Sequence, residues 1–166
     1  MEVDTYESLA ELSLALIGFA ALFGVFGSAS RDRSEFQILA LRMLVEIAAT
    51  AFLLSLLPLL LVPIVDASDD FWTICSGVSA VVVGAHLISG VPRTRATRMD
   101  KRLALLVWMT PVSASILVVA NLLNCAQLLP EVSEWPFRAS IIGQLLFSTI
   151  AFAILFAMRD TPDEDG

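Results

Sequence analysis

Residues Leu103 to Pro130 read LALLVWMTPVSASILVVANLLNCAQLLP, a run of 28 residues without one charged side chain. A helix needs about 20 apolar residues to cross the roughly 30 Å hydrocarbon layer of a bilayer, so this run is long enough to span a membrane. The basic segment from Arg93 to Arg102 comes directly before it. Because cationic loops stay on the cytoplasmic side, that segment predicts which end of the helix faces inward.

The rest of the chain has the same character. It has 166 residues, of which 57% are hydrophobic and 16% charged, whereas a soluble domain carries about 25% charged residues. Four further uncharged runs cover 12–30, 47–65, 71–92 and 139–158. We therefore expect an all-α polytopic membrane protein, a bundle of five transmembrane helices at about 8–27, 43–65, 71–91, 103–125 and 139–158. Residues 1–158 would form this single domain, and residues 159–166 an acidic disordered tail.

The positive charges predict the direction of the helices. Nine of the ten Lys and Arg residues lie in alternate segments between the runs or directly after the last run, and Arg138 is the exception. This asymmetry predicts an N-terminus outside and a C-terminus inside. The net charge of −7 argues against a nucleic-acid partner. The chain has no N-x-S/T glycosylation sequon, which fits a bacterial inner membrane as the location.

Several polar side chains fall within the predicted outer half of the bundle, where burial in lipid is costly and a partner or a wet cavity is needed. They form a candidate polar cavity made of Glu11, Asn121, Asn124, Ser140 and Gln144. Glu11 has two interpretations: a carboxylate at the membrane surface near a helix N-terminus, or a cation or proton site turned toward the amides. The two asparagines either meet water at the rim or form hydrogen bonds between helices.

A candidate inner polar pair is formed by Glu46 and His86. Arg42 lies one turn before Glu46, which is the spacing of an ion pair along one helix face. The alternative is a contact between Glu46 and His86 that accepts a proton near neutral pH. Both alternatives remain open in the sequence.

Prolines inside the apolar runs predict two helix kinks. Pro58 removes the N–H group that would bond the carbonyl of Leu54, and Pro111 does the same to the carbonyl of Val107. Interrupted helices are typical of binding sites in transporters.

Aromatic residues and cysteines add two smaller predictions. Tyr6, Trp72 and Trp135 all fall at the predicted outer boundary, as expected of an interfacial aromatic belt. Cys75 and Cys125 fall in the outer half, where a disulfide is an alternative, but small buried thiols are common as hydrophobic residues. We expect them to be free.

The sequence lacks the motifs of catalysis. It contains no phosphate loop, no H-E-x-x-H, no C-x-x-C and no G-x-S-x-G. One histidine and two separated cysteines do not make a familiar metal site, so we expect no metal, no cofactor and no enzyme activity. Two functions remain: a small oligomeric channel or transporter for an ion, proton or small solute, or a non-catalytic structural or assembly subunit of a larger membrane complex. The expected partners are the lipid bilayer and either further copies of the chain or other membrane proteins.

Overall fold

The computed structural model of the chain describes residues 3–27, 35–65, 69–96, 101–128 and 133–157. Within these ranges the chain forms no strand and five α-helices: α1 (Val3–Gly27), α2 (Glu35–Leu61), α3 (Asp69–Ala96), α4 (Lys101–Cys125) and α5 (Trp135–Ala157). All five are long and apolar enough to cross a membrane. This confirms the predicted all-α architecture of five helices, each able by its length and composition to span a membrane. The predicted tail, 159–166, lies outside the described residues.

Each helix begins earlier than the uncharged runs indicate; α2, for example, begins at Glu35 and not near residue 43. A charged residue ends an uncharged run, but a helix can continue past it into the head-group region. α2 also ends earlier, at Leu61, because Pro63 has no N–H group to continue the helical bonding. The Ile64 N–H group instead donates to the Leu61 carbonyl at 2.8 Å. α2 continues as one helix through Pro58, and α4 continues through Pro111. The kinks predicted at these two positions therefore stay predictions.

The helices alternate in direction, which gives the bundle two distinct ends. At one end, the rings of Tyr6 in α1, Trp72 in α3 and Phe137 in α5 lie with centroids 6.2–6.3 Å apart. Because Asn121 and Asn124 lie at this end too, near the end of α4, we call it the amide end. At the opposite end α2 and α4 begin and α1, α3 and α5 finish. We call that the cavity end, for the cavity described below.

The last helix of the chain occupies the central position. α5 contacts all four other helices, and its largest contact is with α2. The remaining helices form two closely packed pairs, α1 with α2 and α3 with α4, while α2 and α3 contact each other only slightly. The backbones of α2 and α4 do not approach within 8 Å in the described ranges. The bundle therefore consists of two helical hairpins joined by α5.

The outward-facing hydroxyl groups are satisfied within their own helices. Ser113 donates to the Met109 carbonyl at 2.9 Å, and Ser115 donates to the Pro111 carbonyl at 2.7 Å. Thr149 on α5 is bonded in the same way. A hydroxyl that faces hydrocarbon has no water to bond, so this arrangement suits helices that face lipid.

One of the three aromatic residues predicted to form an interfacial belt lies inside the bundle instead. Tyr6 is only 1% exposed and packs between Trp72 and Phe137 inside the bundle, whereas Trp135 is 68% exposed. The expectation of Tyr6 as a belt residue is wrong, because its ring fills the space between three helix starts. Phe71 extends this cluster: its ring and that of Trp72 form a T-shaped pair with centroids 4.9 Å apart.

Candidate functional site

Asn124 joins three segments of the chain at the amide end. Its Nδ2 atom donates to the Ser76 hydroxyl of α3 at 2.8 Å and to the Ser133 carbonyl at 3.0 Å. Its Oδ1 atom accepts the Ser133 N–H group at 3.2 Å. The side chain is fully buried. Asn124 therefore fastens the end of α4 both to α3 and to the segment that precedes α5, which is the interhelical alternative left open by the sequence.

Asn121, one turn earlier, joins α4 to α5. Its Nδ2 atom lies 2.7 Å from the Ser140 hydroxyl, 3.0 Å from the Pro136 carbonyl and 2.8 Å from the Leu117 carbonyl. Two N–H groups are thus shared among three acceptors. Its Oδ1 atom is buried and has no hydrogen-bond partner in the described part of the chain.

Gln144 connects the amide cluster to the cavity end. Its Nε2 atom donates to the Ser140 carbonyl at 3.3 Å, and the side chain is 7% exposed. A primary amide has two N–H groups and one acceptor oxygen, and this is the one hydrogen bond that the described residues give it. The Gln144 side chain also lines a cavity, so its remaining capacity is available there.

The cavity lies among α2, α3, α4 and α5 and encloses about 60 Å³, with one side partly open. Its walls are mainly apolar, and the polar side chains in them are His86, Thr110 and Gln144. Pro111 is also in the wall, so one of the predicted kink positions borders the cavity. The complete lining is Met43, Ile47, Val83, His86, Leu87, Gly90, Thr110, Pro111, Ala114, Gln144 and Phe147.

Glu11 lies away from both groups. Its residue position is exposed on α1, beside the exposed Leu12 and Leu14. It follows Tyr6 by five residues, which is about 7.5 Å along a helix axis. The structure thus brings Asn121, Ser140 and Gln144 together and leaves Glu11 on the outer surface of the bundle.

Glu46 makes the ion pair that its spacing predicts. The Arg42 Nε atom lies 2.6 Å from the Glu46 Oε1 atom, on a partly exposed face of α2. Glu46 is not among the residues that line the cavity, whereas His86 is. A second pair of the same spacing joins Arg138 to Glu134 at 3.0 Å. That pair neutralises the one cation that falls on the predicted outer side.

Both cysteines are free, as expected. Cys75 is buried, and the Cys125 sulfur lies against Gly77 of α3, 3.2 Å from where a Cβ atom would stand. In the described ranges no group of three His, Cys, Asp or Glu side chains is arranged to hold a metal ion. The polar side chains of the amide cluster and the cavity can form hydrogen bonds through amides, hydroxyls and one imidazole.

Sequence reasoning identified the amides and Ser140 but not all of their partners. The Ser133 backbone and the Pro136 carbonyl are local features of the segment before α5, and no side-chain pattern marks them. The Ser76 hydroxyl could have been found, because Ser76 lies near the start of the uncharged run 71–92, on the same predicted outer side as Asn124. Comparison of the chain with protein family models, with curated proteins and with solved structures gave no match.

Proposed function

We propose that the chain is a non-catalytic subunit of a larger membrane assembly, and that α1 makes the contact with its neighbour. The observation that carries this proposal is the exposed position of Glu11 on the span Asp4–Gly24. Ionisable side chains within membrane helices nearly always face a protein partner or a wet cavity. Because the amides of α4 and α5 are used inside the bundle, they do not supply that partner.

The position of α1 supports the same conclusion. α1 packs closely against α2 and only slightly against α5, and its exposed face also carries Leu14, Phe19 and Leu22. An added Cβ atom at Gly18 would meet nothing within 4 Å. This face therefore has room for another helix, and a donor on that helix would bond the Glu11 carboxylate.

The test uses Glu11→Gln with Glu7→Gln as its matched control, since Glu7 is also exposed but lies one turn nearer the start of α1. A photoreactive residue at Leu14 is expected to cross-link the chain in its native membrane to a neighbouring protein or a second copy. A hydrogen bond to a charged group contributes about 1.5–3 kcal/mol, so Glu11→Gln should reduce the cross-linked fraction about tenfold or more. Equal cross-linking in both variants, or cross-linking to lipid alone, would refute the proposal.

Transport of a small solute is the second candidate, and the cavity beside Pro111 favours it. Three polar side chains line it, beside the proline inside α4, and prolines within membrane helices are frequent at transporter binding sites. This function predicts proton or potassium flux into liposomes that contain the purified chain, with loss of the flux in Gln144→Leu. Absence of flux in correctly folded protein would exclude it and leave the assembly proposal standing.

A further inference from the structure

The cavity lies between the two helical hairpins. No charged side chain is among the described residues that line it. Its walls include Met43 and Ile47 of α2 and Ala114 of α4, two helices whose backbones stay more than 8 Å apart in the described ranges. The enclosed volume of about 60 Å³ is less than half of the roughly 150 Å³ that holds a benzene ring in a protein interior. It therefore suits a short length of hydrocarbon chain that enters through the open side, and not a whole ring or head group.

Cations are concentrated at the same end of the bundle. Arg42 precedes the lining residue Met43, Arg93 and Arg95 follow the lining residue Gly90 on α3, and α4 opens with Lys101 and Arg102. Along a helix axis, three to five residues beyond Gly90 correspond to about 4.5–7.5 Å. Against these five cations, the helices at this end carry Glu35 and the paired Glu46. The cavity end therefore has an excess of positive charge next to an apolar space.

We propose that the cavity end binds an anionic phospholipid, with part of one acyl chain in the cavity and the phosphate beside the cations of α3 and α4. Basic residues at the ends of membrane helices attract anionic head groups, each contributing to the affinity. This binding is independent of the contact proposed for α1.

Two glycines of α3 give a matched pair of variants for the test. An added Cβ atom at Gly90 or at Gly84 meets nothing within 4 Å, but only Gly90 lines the cavity. Gly90→Leu is therefore expected to fill the cavity, and Gly84→Leu to leave it open. Purified full-length protein in neutral detergent would be titrated with dioleoyl phosphatidylglycerol and, separately, with dioleoyl phosphatidylcholine. Binding would be followed by native mass spectrometry and by the midpoint of thermal unfolding.

The wild-type chain and Gly84→Leu should bind phosphatidylglycerol about tenfold more tightly than phosphatidylcholine. Gly90→Leu should lose that binding while it keeps its helical circular dichroism. Equal affinity for the two lipids, or equal binding by the two glycine variants, would overturn the proposal.

A second variant tests the charges without changing the cavity. The double substitution Arg93→Gln and Arg95→Gln should weaken phosphatidylglycerol binding about tenfold and leave phosphatidylcholine binding unchanged. No change in either affinity would overturn the assignment of the phosphate to this end. If a neutral short-chain quinone bound with the same Gly90→Leu dependence and phosphatidylglycerol did not, the cavity would be a site for a neutral ligand and the proposal would fail.

Discussion

The amide end and the cavity end of the bundle differ in how their helices are held together. At the amide end, Asn124 links α4 to α3 and to the start of α5, and the Tyr6, Trp72 and Phe137 rings fill the space between helices. At the cavity end an apolar cavity lies between the two hairpins, and the buried cluster of Ala20, Ala40, Leu44 and Leu155 joins only α1, α2 and α5. Both hairpins are thus joined directly at the amide end and face each other across a cavity at the other, so a substitution between them should cost more free energy of unfolding at the amide end.

The largest effect is expected for Phe137→Ala. Phe137 is fully buried against the rings of Tyr6 and Trp72, and removing its ring leaves a void that costs about 3 kcal/mol of unfolding free energy. Phe19→Ala is the control, because Phe19 is 55% exposed; it should cost less than about 1 kcal/mol. Unfolding in mixed micelles with increasing SDS would measure both. Similar losses in the two variants would mean that the amide end is not the tighter one.

Asn124→Leu should have the next largest effect. It removes three hydrogen bonds to Ser76 and Ser133, and interhelical bonds in membranes contribute about 0.6 kcal/mol each on average. We expect a loss of about 2 kcal/mol in the same assay. Ser76→Ala removes one of the three bonds and should cost about a third as much. A loss in Ser76→Ala as large as in Asn124→Leu would show that the bonds to Ser133 contribute nothing.

Replacing a glycine of α3 by alanine should change the unfolding free energy by a smaller amount. The direction of the change should differ between Gly84 and Gly77. Gly84→Ala has open space for its methyl group and should stabilise the helix by about 0.5–1 kcal/mol. Gly77→Ala, at the amide end, brings a methyl group to 3.2 Å from the Cys125 sulfur and should cancel or reverse that gain. Adding Cys125→Ala to Gly77→Ala should restore it. Stabilisation by both single variants would remove this distinction between the ends.

The smallest effect is expected for Tyr6→Phe. The Tyr6 hydroxyl is buried and has no hydrogen-bond partner in the described part of the chain, so its removal leaves no partner unsatisfied. The unfolding free energy should change by less than about 0.5 kcal/mol, even though the ring lies in the tightest cluster. A loss above about 1 kcal/mol would reveal a hydrogen bond to an internal water molecule.

The sequence predicts the helices better than their arrangement. Uncharged runs such as 103–130 identify all five spans, because length and hydropathy alone decide whether a helix can cross a bilayer. The central position of α5 could not be predicted, since large apolar residues lie on every side of each run and hydropathy alone does not indicate which helices are neighbours. Tyr6 illustrates this: its place in the chain suits an interface, and only the packing of α1 against α5 puts it inside.

In the candidate site, too, some features could be predicted from the sequence and others could not. Asn121, Ser140 and Gln144 are brought together as their depths predict. Side chains at one level of a bundle can meet only if their helices are neighbours, and α4 and α5 are neighbouring helices. Glu11 lies at a similar depth, but α1 does not approach α4, and its exposed face points away from the amides. The cavity could not be predicted because its walls come from four helices, whose packing no local pattern encodes.

The central place of the final helix has a consequence for biogenesis. A ribosome releases α5 after α1 to α4, so the two hairpins enter the bilayer before the element that joins them exists. Until then Asn121 lacks its acceptors in α5, the Pro136 carbonyl and the Ser140 hydroxyl, while Asn124 can already bond Ser76 of α3. A chain that stops before Trp135 should still insert its hairpins, yet remain unassembled and be degraded as an orphan by membrane proteases.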